Sequence, residues 1–80
     1  MDNLSDRLVT CFGLVFPNLP LDEIPSAAAG NISDWDSIAQ INLLSVIGEE
    51  FGIGIDFEEF EGATSFPALL DRLREINGRG

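Results

Sequence analysis

The one stretch of this chain whose residue types and spacing point to chemistry is Asp34-Trp35-Asp36-Ser37-Ile38. Other routes close quickly. The sequence has no His, so neither a Ser–His nor a Cys–His nucleophile pair can be built, and a stand-alone hydrolase is disfavoured. Cys11 falls on the apolar side of a helical pattern and reads as a small core residue rather than a reactive thiol. No Cys/His spacing suits zinc. The run Asp56, Glu58, Glu59, Glu61 lacks the alternating oxygen ligands, the mid-loop Gly and the terminal bidentate Glu of a calcium loop. It reads as a solvated acidic face, and no metal is expected. The carboxylate pairs Asp34/Asp36 and Glu49/Glu50 could do acid–base work only if one member were desolvated in a pocket. A chain this short buries one modest core and has little depth for such a pocket. The chain is therefore read as a non-enzyme.

Ser37 is different because it ends a long loop and opens a helix. A phosphate on its oxygen would meet free backbone N–H groups and the positive end of the helix dipole. Nothing beside it can act as its base or hold a nucleotide, so a second enzyme must install any such group. The bland alternative is that Asp36 and Ser37 only cap the helix, as such dipeptides commonly do.

The elements that must position this serine follow from periodicity. Leu4, Leu8, Cys11, Phe12, Val15 and Phe16 have helical spacing, with Ser5 as the cap, Asp6 behind it as a charge that suits the helix dipole, and Pro17 as the stop. Residues 17–35 hold Pro17, Pro20, Pro25 and Gly30 and form a long loop with a short helical turn near Leu21–Ile24. Leu19, Leu21, Ile24 and Ile32 are expected to pin that loop to the core. A second helix runs from Ser37 to Phe51 along Gln40, Leu43, Leu44, Ile47 and Phe51. Ser37-x-x-Gln40 reads as its capping box, and Gly52 and Gly54 end it. Phe57 and Phe60, three apart, suggest a short helical turn over Asp56–Gly62. The last helix begins at Thr64 or Ser65 and runs to about Ile76 on Phe66, Leu69, Leu70, Leu73 and Ile76. Arg72 and Arg74 stand toward its end. Residues 78–80 are expected to fray. The predicted fold is all-α: a small antiparallel bundle of three longer helices and one short helix, with a long loop between helices one and two, in a single domain over 1–80.

Charge narrows the partners. Fourteen acidic residues against four Arg give a net charge of −10, while 45% hydrophobic content is too high for a disordered acidic tail. So negative a field argues against nucleic-acid binding and against anionic membrane surfaces, and favours basic protein surfaces and a monomer. The single Cys, the acidic N-terminal residues where a leader peptide would be basic, and the short apolar runs suggest a cytoplasmic protein.

Asp36-Ser37-Ile38, Leu43-Leu44, Glu49-Glu50-Phe51, Ile55 and Thr64-Ser65-Phe66 stand at spacings that resemble acyl carrier proteins. The stretch from Trp35 to Leu44 looks especially like freestanding carriers of specialised biosynthetic pathways. The resemblance covers nearly the whole chain. It implies that Ser37 receives 4′-phosphopantetheine from coenzyme A through a phosphopantetheinyl transferase. The arm would then carry acyl or aminoacyl groups as thioesters between a loading enzyme and a downstream transferase, synthase or thioesterase. Asp36 would orient the serine. Helix two, with Trp35, Ile38, Ile41, Asn42, Ser45 and Glu49, would form the recognition surface. Trp35 either covers the packing of the loop on the core or lies at the surface beside the arm.

The sequence also departs from this family. Ala39 and Asn42 stand where carriers of general fatty-acid synthesis usually have acids. Ser45 replaces a common methionine, and Gly48 another acid. Dedicated partners are the expectation. Fatty-acid carriers enclose cargo between helices two and three, and the matching residues are Leu44, Ile47, Phe60 and Ala63. Phe60 either fills that cavity or makes a volume-conserving swap in the core. A fatty acyl, a polyketide unit, a hydroxy acid or an amino acid would each fit such a carrier. The competing reading is an acidic helical interaction module that is never modified.

Overall fold

The first helix, α1 (Asn3–Val15), turns Leu8, Cys11 and Phe12 wholly inward, with Phe16 just past its end almost as deep. The structure is a computed structural model that describes residues 3–78. Helix α1 already includes Ser5, which lies in its first turn rather than at a cap, while Asp6 is an acid of that first turn, as the helix dipole favours. Pro17, with no N–H to donate, follows the last helical bond, Phe16 N to Phe12 O at 2.7 Å.

The short helix falls in the first connection. A 3-10 helix, Leu21–Ser26, sits between Pro20 and Ala27 and carries Pro25 inside it. Ile24 is its anchor, fully buried, and Leu19 and Ile32 pack partly on the core. Leu21 does not pin the loop as expected; it is 70% exposed. Asn31 closes the connection with its own side chain, accepting from Ala28 N at 2.9 Å and donating to Ser26 O at 3.3 Å. Ala29 N donates to Thr64 O and Phe66 N to Ala27 O, an isolated antiparallel bridge that ties the first connection to the start of the last helix. Among the described residues there is no strand.

Helix α2 (Ser37–Phe51) buries Leu43, Leu44 and Ile47 and ends at Gly52, whose left-handed φ of 64° returns its N–H to Gly48 O. The chain then folds back over α2. Ile53 N donates to Gly48 O, and a Cβ on Gly48 would lie 2.9 Å from Ile55 Cγ1. Any side chain at position 48 would therefore crowd residues 53 and 55. The helical turn expected over Asp56–Gly62 is a chain of separate turns. Asp56 Oδ1 accepts from Glu58 N, successive i→i+3 bonds reach Ala63, and Gly62 at φ 81° breaks any continuation.

Helix α3 (Phe66–Gly78) is capped by Ser65, whose Oγ accepts from Ala68 N at 3.2 Å. It buries Phe66, Leu69, Leu70 and Leu73. It extends through Gly78, so Arg72 and Arg74 stand before its last turn, and Arg72 pairs with Glu75 at 3.6 Å. Of the tail expected to fray, Gly78 is helical and 79–80 lie outside the described residues.

Helix α1 packs against both α2 and α3, and the 3-10 helix against α1 and α3. No Cα of α2 comes within 8 Å of one in α3. The connection between those helices supplies Phe60 and Ala63 to the core instead. Phe12 is the hub: its ring meets Trp35 edge-on at 5.4 Å and Phe66 at 5.3 Å, with Phe16 at 5.9 Å. Among the described residues no helix is long and apolar enough to cross a membrane.

Candidate functional site

Ser37 is the first residue of α2 and is exposed. Its position is set from both sides. Asp36 is the cap: its backbone is extended (φ −103°, ψ −171°), its Oδ1 accepts from Ala39 N at 2.8 Å, and its carbonyl accepts from Gln40 N. One residue earlier, Trp35 is buried against Phe12 and Phe16, and its N–H donates to Ile32 O. A buried indole followed by a capping aspartate leaves the next side chain pointing outward. Because Asp36 provides the cap, the Ser37 hydroxyl is not spent on the backbone.

The expected capping box is not formed. With Asp36 as the cap, Gln40 is one residue too far along to reach back to it. Gln40 turns sideways instead, accepting from Trp35 Nε1 at 2.6 Å and donating to Ala63 O at 3.2 Å. One amide thus joins the first turn of α2 to the indole and to the α2–α3 connection. Of the two readings of Trp35, burial decides for packing against the core and corrects the surface role: at 5% exposure, with its indole N–H bonded, it is a core residue.

A pocket of about 460 Å³ opens beside the serine, lined by Ala29, Trp35, Asp36, Ser37, Gln40, Ile41 and Thr64. A second, of about 320 Å³, shares Gln40, Ile41 and Thr64 with it and continues over Leu44, Phe57 and Phe60 to Glu58, Glu61 and Gly62. The two form one groove running from Ser37 along α2 to the 56–62 turns. Both volumes are in the range of small-ligand sites.

The remaining expected residues divide cleanly. Ile38 and Ile41 are 70% and 53% exposed, and Asn42, Ser45 and Glu49 are exposed beside them on α2. Leu44, Ile47, Phe60 and Ala63 are all buried, with Leu44 and Phe60 also flooring the second pocket. Phe57 was paired in the sequence with Phe60, yet it is 53% exposed and lines the groove. Its spacing gave no sign of this, because i,i+3 partners share a face only in a helix. Thr64 and the two bonds of Gln40 were likewise not foreseen.

The Cys11 thiol is fully buried, and burial, helped by the nearby Glu50 charge, pushes its pKa up to about 11. It is a packing residue at neutral pH. Arg7 binds the far end of α2, with its guanidinium over the Phe51 ring at 4.3 Å, Nε 3.6 Å from Glu50 Oε1, and Nη2 donating to Glu50 O. No protein-family model matches the chain, and no curated protein and no solved structure matches it.

Proposed function

We propose that this chain is a freestanding acyl or aminoacyl carrier protein, modified on Ser37 with 4′-phosphopantetheine. The observation that carries this reading is the division of labour at the start of α2. Asp36 caps the helix, and Ser37 stands exposed beside it with its hydroxyl left over. The likeness of motif order to acyl carrier proteins, from the first helix through Ser65-Phe66, supports it further. The residues fit the group: an outward hydroxyl at a helix N-terminus suits a phosphodiester, and the adjoining groove gives a flexible arm a surface to lie on.

The chemistry divides as follows. The Ser37 oxygen bonds to the phosphorus that carries pantetheine, the bond to the adenosine 3′,5′-bisphosphate half of coenzyme A breaks, and the hydroxyl proton leaves to the transferase. When bound, the arm supplies a thiol that holds cargo as a thioester. The chain's own residues present that arm. Trp35 and Asp36 fix where it emerges, and the exposed face of α2 (Ile38, Ile41, Asn42, Ser45 and Glu49) meets the enzymes. A charge of −10 keeps copies apart, which favours a monomer, and steers the carrier to basic surfaces rather than to nucleic acid or membrane. We place it in the cytoplasm, as an antiparallel bundle with dedicated partners in a specialised pathway. With Phe60 buried in the core, a short or polar cargo stays outside on the arm.

Intact mass tests the reading. Incubation with coenzyme A and a broad-specificity phosphopantetheinyl transferase is expected to add one arm, and Ser37→Ala to abolish the gain. An unchanged mass for the wild-type chain would leave the unmodified acidic interaction module. Dedicated partners are tested by offering the loaded carrier to general fatty-acid synthase enzymes; turnover equal to that of a standard carrier defeats that part.

A further inference from the structure

The two cavities beside α2 are lined by Asp36, Glu58 and Glu61, and two smaller ones on the first connection by Glu23 and by Asp34; none of these has a basic side chain. A further cavity, of about 190 Å³, reverses the pattern. It lies where α1, the end of α2 and α3 meet. Leu4, Phe51, Ile53, Leu73 and Ile76 make its walls apolar, Arg7 lines it too, and among the described residues no acid does. Ser37 and Phe51 are the two ends of α2, about 21 Å apart along its axis, so this cavity is separate from the serine. Leu4, Phe51, Ile53 and Ile76 are only half-buried, which leaves apolar surface for a guest to cover. A dry apolar cavity of about 150 Å³ is already large enough to take up benzene. The guanidinium of Arg7 is held at its edge, over the Phe51 ring at 4.3 Å, with Nη2 donating to Glu50 O. Nε stands 3.6 Å from Glu50 Oε1, an ion pair too long for a hydrogen bond, and Nη1 has no hydrogen-bond partner among the described residues. Arginine carries five N–H donors in a fixed fork, so a second carboxylate can still be met.

We propose that this cavity binds a small free monocarboxylate, whose apolar body, about the size of a benzene ring or a six-carbon chain, packs on Leu4, Phe51, Ile53 and Ile76 while its carboxylate pairs with Arg7. Asn77, the other polar side chain of the lining, offers an amide donor to the second oxygen. The site needs neither Ser37 nor the carrier reading. Charge sets its selectivity in two ways. A net charge of −10 opposes any anion at long range, so only an anion whose body also fills the cavity gains enough to stay. An alcohol, an ester or a thioester has no charge to pair with Arg7, so the free acid is preferred. Glu50 competes for the same guanidinium, and the ligand is therefore held against that neighbour.

The test titrates the full, unmodified chain with hexanoate and follows the backbone amides by NMR. Saturable shifts are expected at Arg7, Phe51, Ile53 and Ile76, with a Kd on the order of 1 mM for so small a ligand, and none at Ser37 or Ile41. Hexanol and methyl hexanoate, which keep the body and lose the charge, are expected to bind on the order of tenfold more weakly, and hexylammonium more weakly still. Arg7→Gln is expected to weaken hexanoate by a similar factor and to leave hexanol unchanged. Glu50→Gln, which removes the competing carboxylate, is expected to tighten hexanoate. Circular dichroism verifies folding, and the ligand series on the wild type decides the matter if Arg7→Gln unfolds. The proposal is overturned if hexanoate gives no saturable shift at these residues, if hexanol binds as tightly as hexanoate, if a folded Arg7→Gln keeps the wild-type affinity, or if the shifts centre on Ser37 and Ile41. The carrier reading is judged separately, by the mass gained at Ser37.

Discussion

The indole of Trp35 and the amide of Gln40 are joined by a 2.6 Å hydrogen bond that brackets Ser37, one partner lying two residues before it and the other three after. The same amide reaches Ala63 O across the α2–α3 connection. The loop before the serine, the helix that follows it and the opposite wall of the groove are thus tied at one point, and Ser37 is held between them.

Trp35→Phe removes the donor of that bond while keeping an aromatic ring against Phe12. It leaves Gln40 Oε1, which is partly buried, without its partner and opens a gap where the second ring stood. The expected loss is about 1–3 kcal/mol, read as a lower urea midpoint. Gln40→Leu, which removes both hydrogen bonds and orphans the indole N–H and Ala63 O, is expected to cost at least as much. A midpoint unchanged in both would mean that the bracket does not hold the loop.

Asp36 and Ser37 make a sharper pair. The Asp36 carboxylate caps Ala39 N, so Asp36→Ala is expected to cost about 1 kcal/mol. Ser37→Ala is expected to stay within about 0.5 kcal/mol of the wild type, as an exposed side chain with no structural duty should. Parallel urea melts of the two variants check this. If Ser37→Ala cost as much as Asp36→Ala, the serine would be a cap, and its hydroxyl would no longer be spare.

What was legible beforehand, and what was not, follows from how local each cause is. The buried stripes of α1, α2 and α3 are set by 3.6-residue spacing, and Leu8, Phe12, Leu43, Ile47, Leu69 and Leu73 fall inside as that spacing requires. The exposed start of α2 at Ser37 was legible because loop, cap and helix start are adjacent in the chain. The groove could not. Its walls come from α2, from Phe57 and Phe60, and from Thr64, and whether Phe57 or Phe60 turns inward depends on the backbone turns between them. The capping box expected at Gln40 fails for a related reason: it is decided by which residue is the cap, and with Asp36 rather than Ser37 in that place the Gln40 side chain takes different partners.

Two glycines that look alike within helices should behave in opposite ways. A Cβ on Gly13 would meet nothing within 4 Å, so Gly13→Ala is expected to stabilise by about 0.4–1 kcal/mol through reduced freedom of the unfolded chain and better helix propensity. A Cβ on Gly48 would lie 2.9 Å from Ile55 Cγ1 and 3.3 Å from Ile53 O. The backbone oxygen is held close by the Ile53 N–Gly48 O bond, so the contact is not easily relieved. Gly48→Ala is expected to destabilise by about 1–3 kcal/mol, with less loss when Ile55→Ala makes room. Thermal melts of the four variants, including the double substitution, separate the two cases; a stabilising Gly48→Ala would show that residues 53–55 do not press on α2.

Cys11 provides a silent background against which an arm on Ser37 can be counted. Its thiol is fully buried and its pKa is raised from 9.0 to about 11, chiefly by burial. A group whose folded pKa is raised contributes stability that is complete below its unfolded value and is lost as pH climbs through the folded one. Cys11 is therefore expected to lower stability between about pH 9 and pH 11, and Cys11→Ala, destabilised overall by lost packing, is expected to lack that component of the decline. At pH 8 the native, unmodified chain is expected to show no fast-reacting thiol toward a chromogenic disulfide, and one after denaturation in urea. After treatment with coenzyme A and the transferase, the native chain is expected to show one fast-reacting thiol, and the Ser37→Ala chain none. A fast thiol in the native, untreated protein would place Cys11 within reach of solvent, contrary to its place on the buried face of α1.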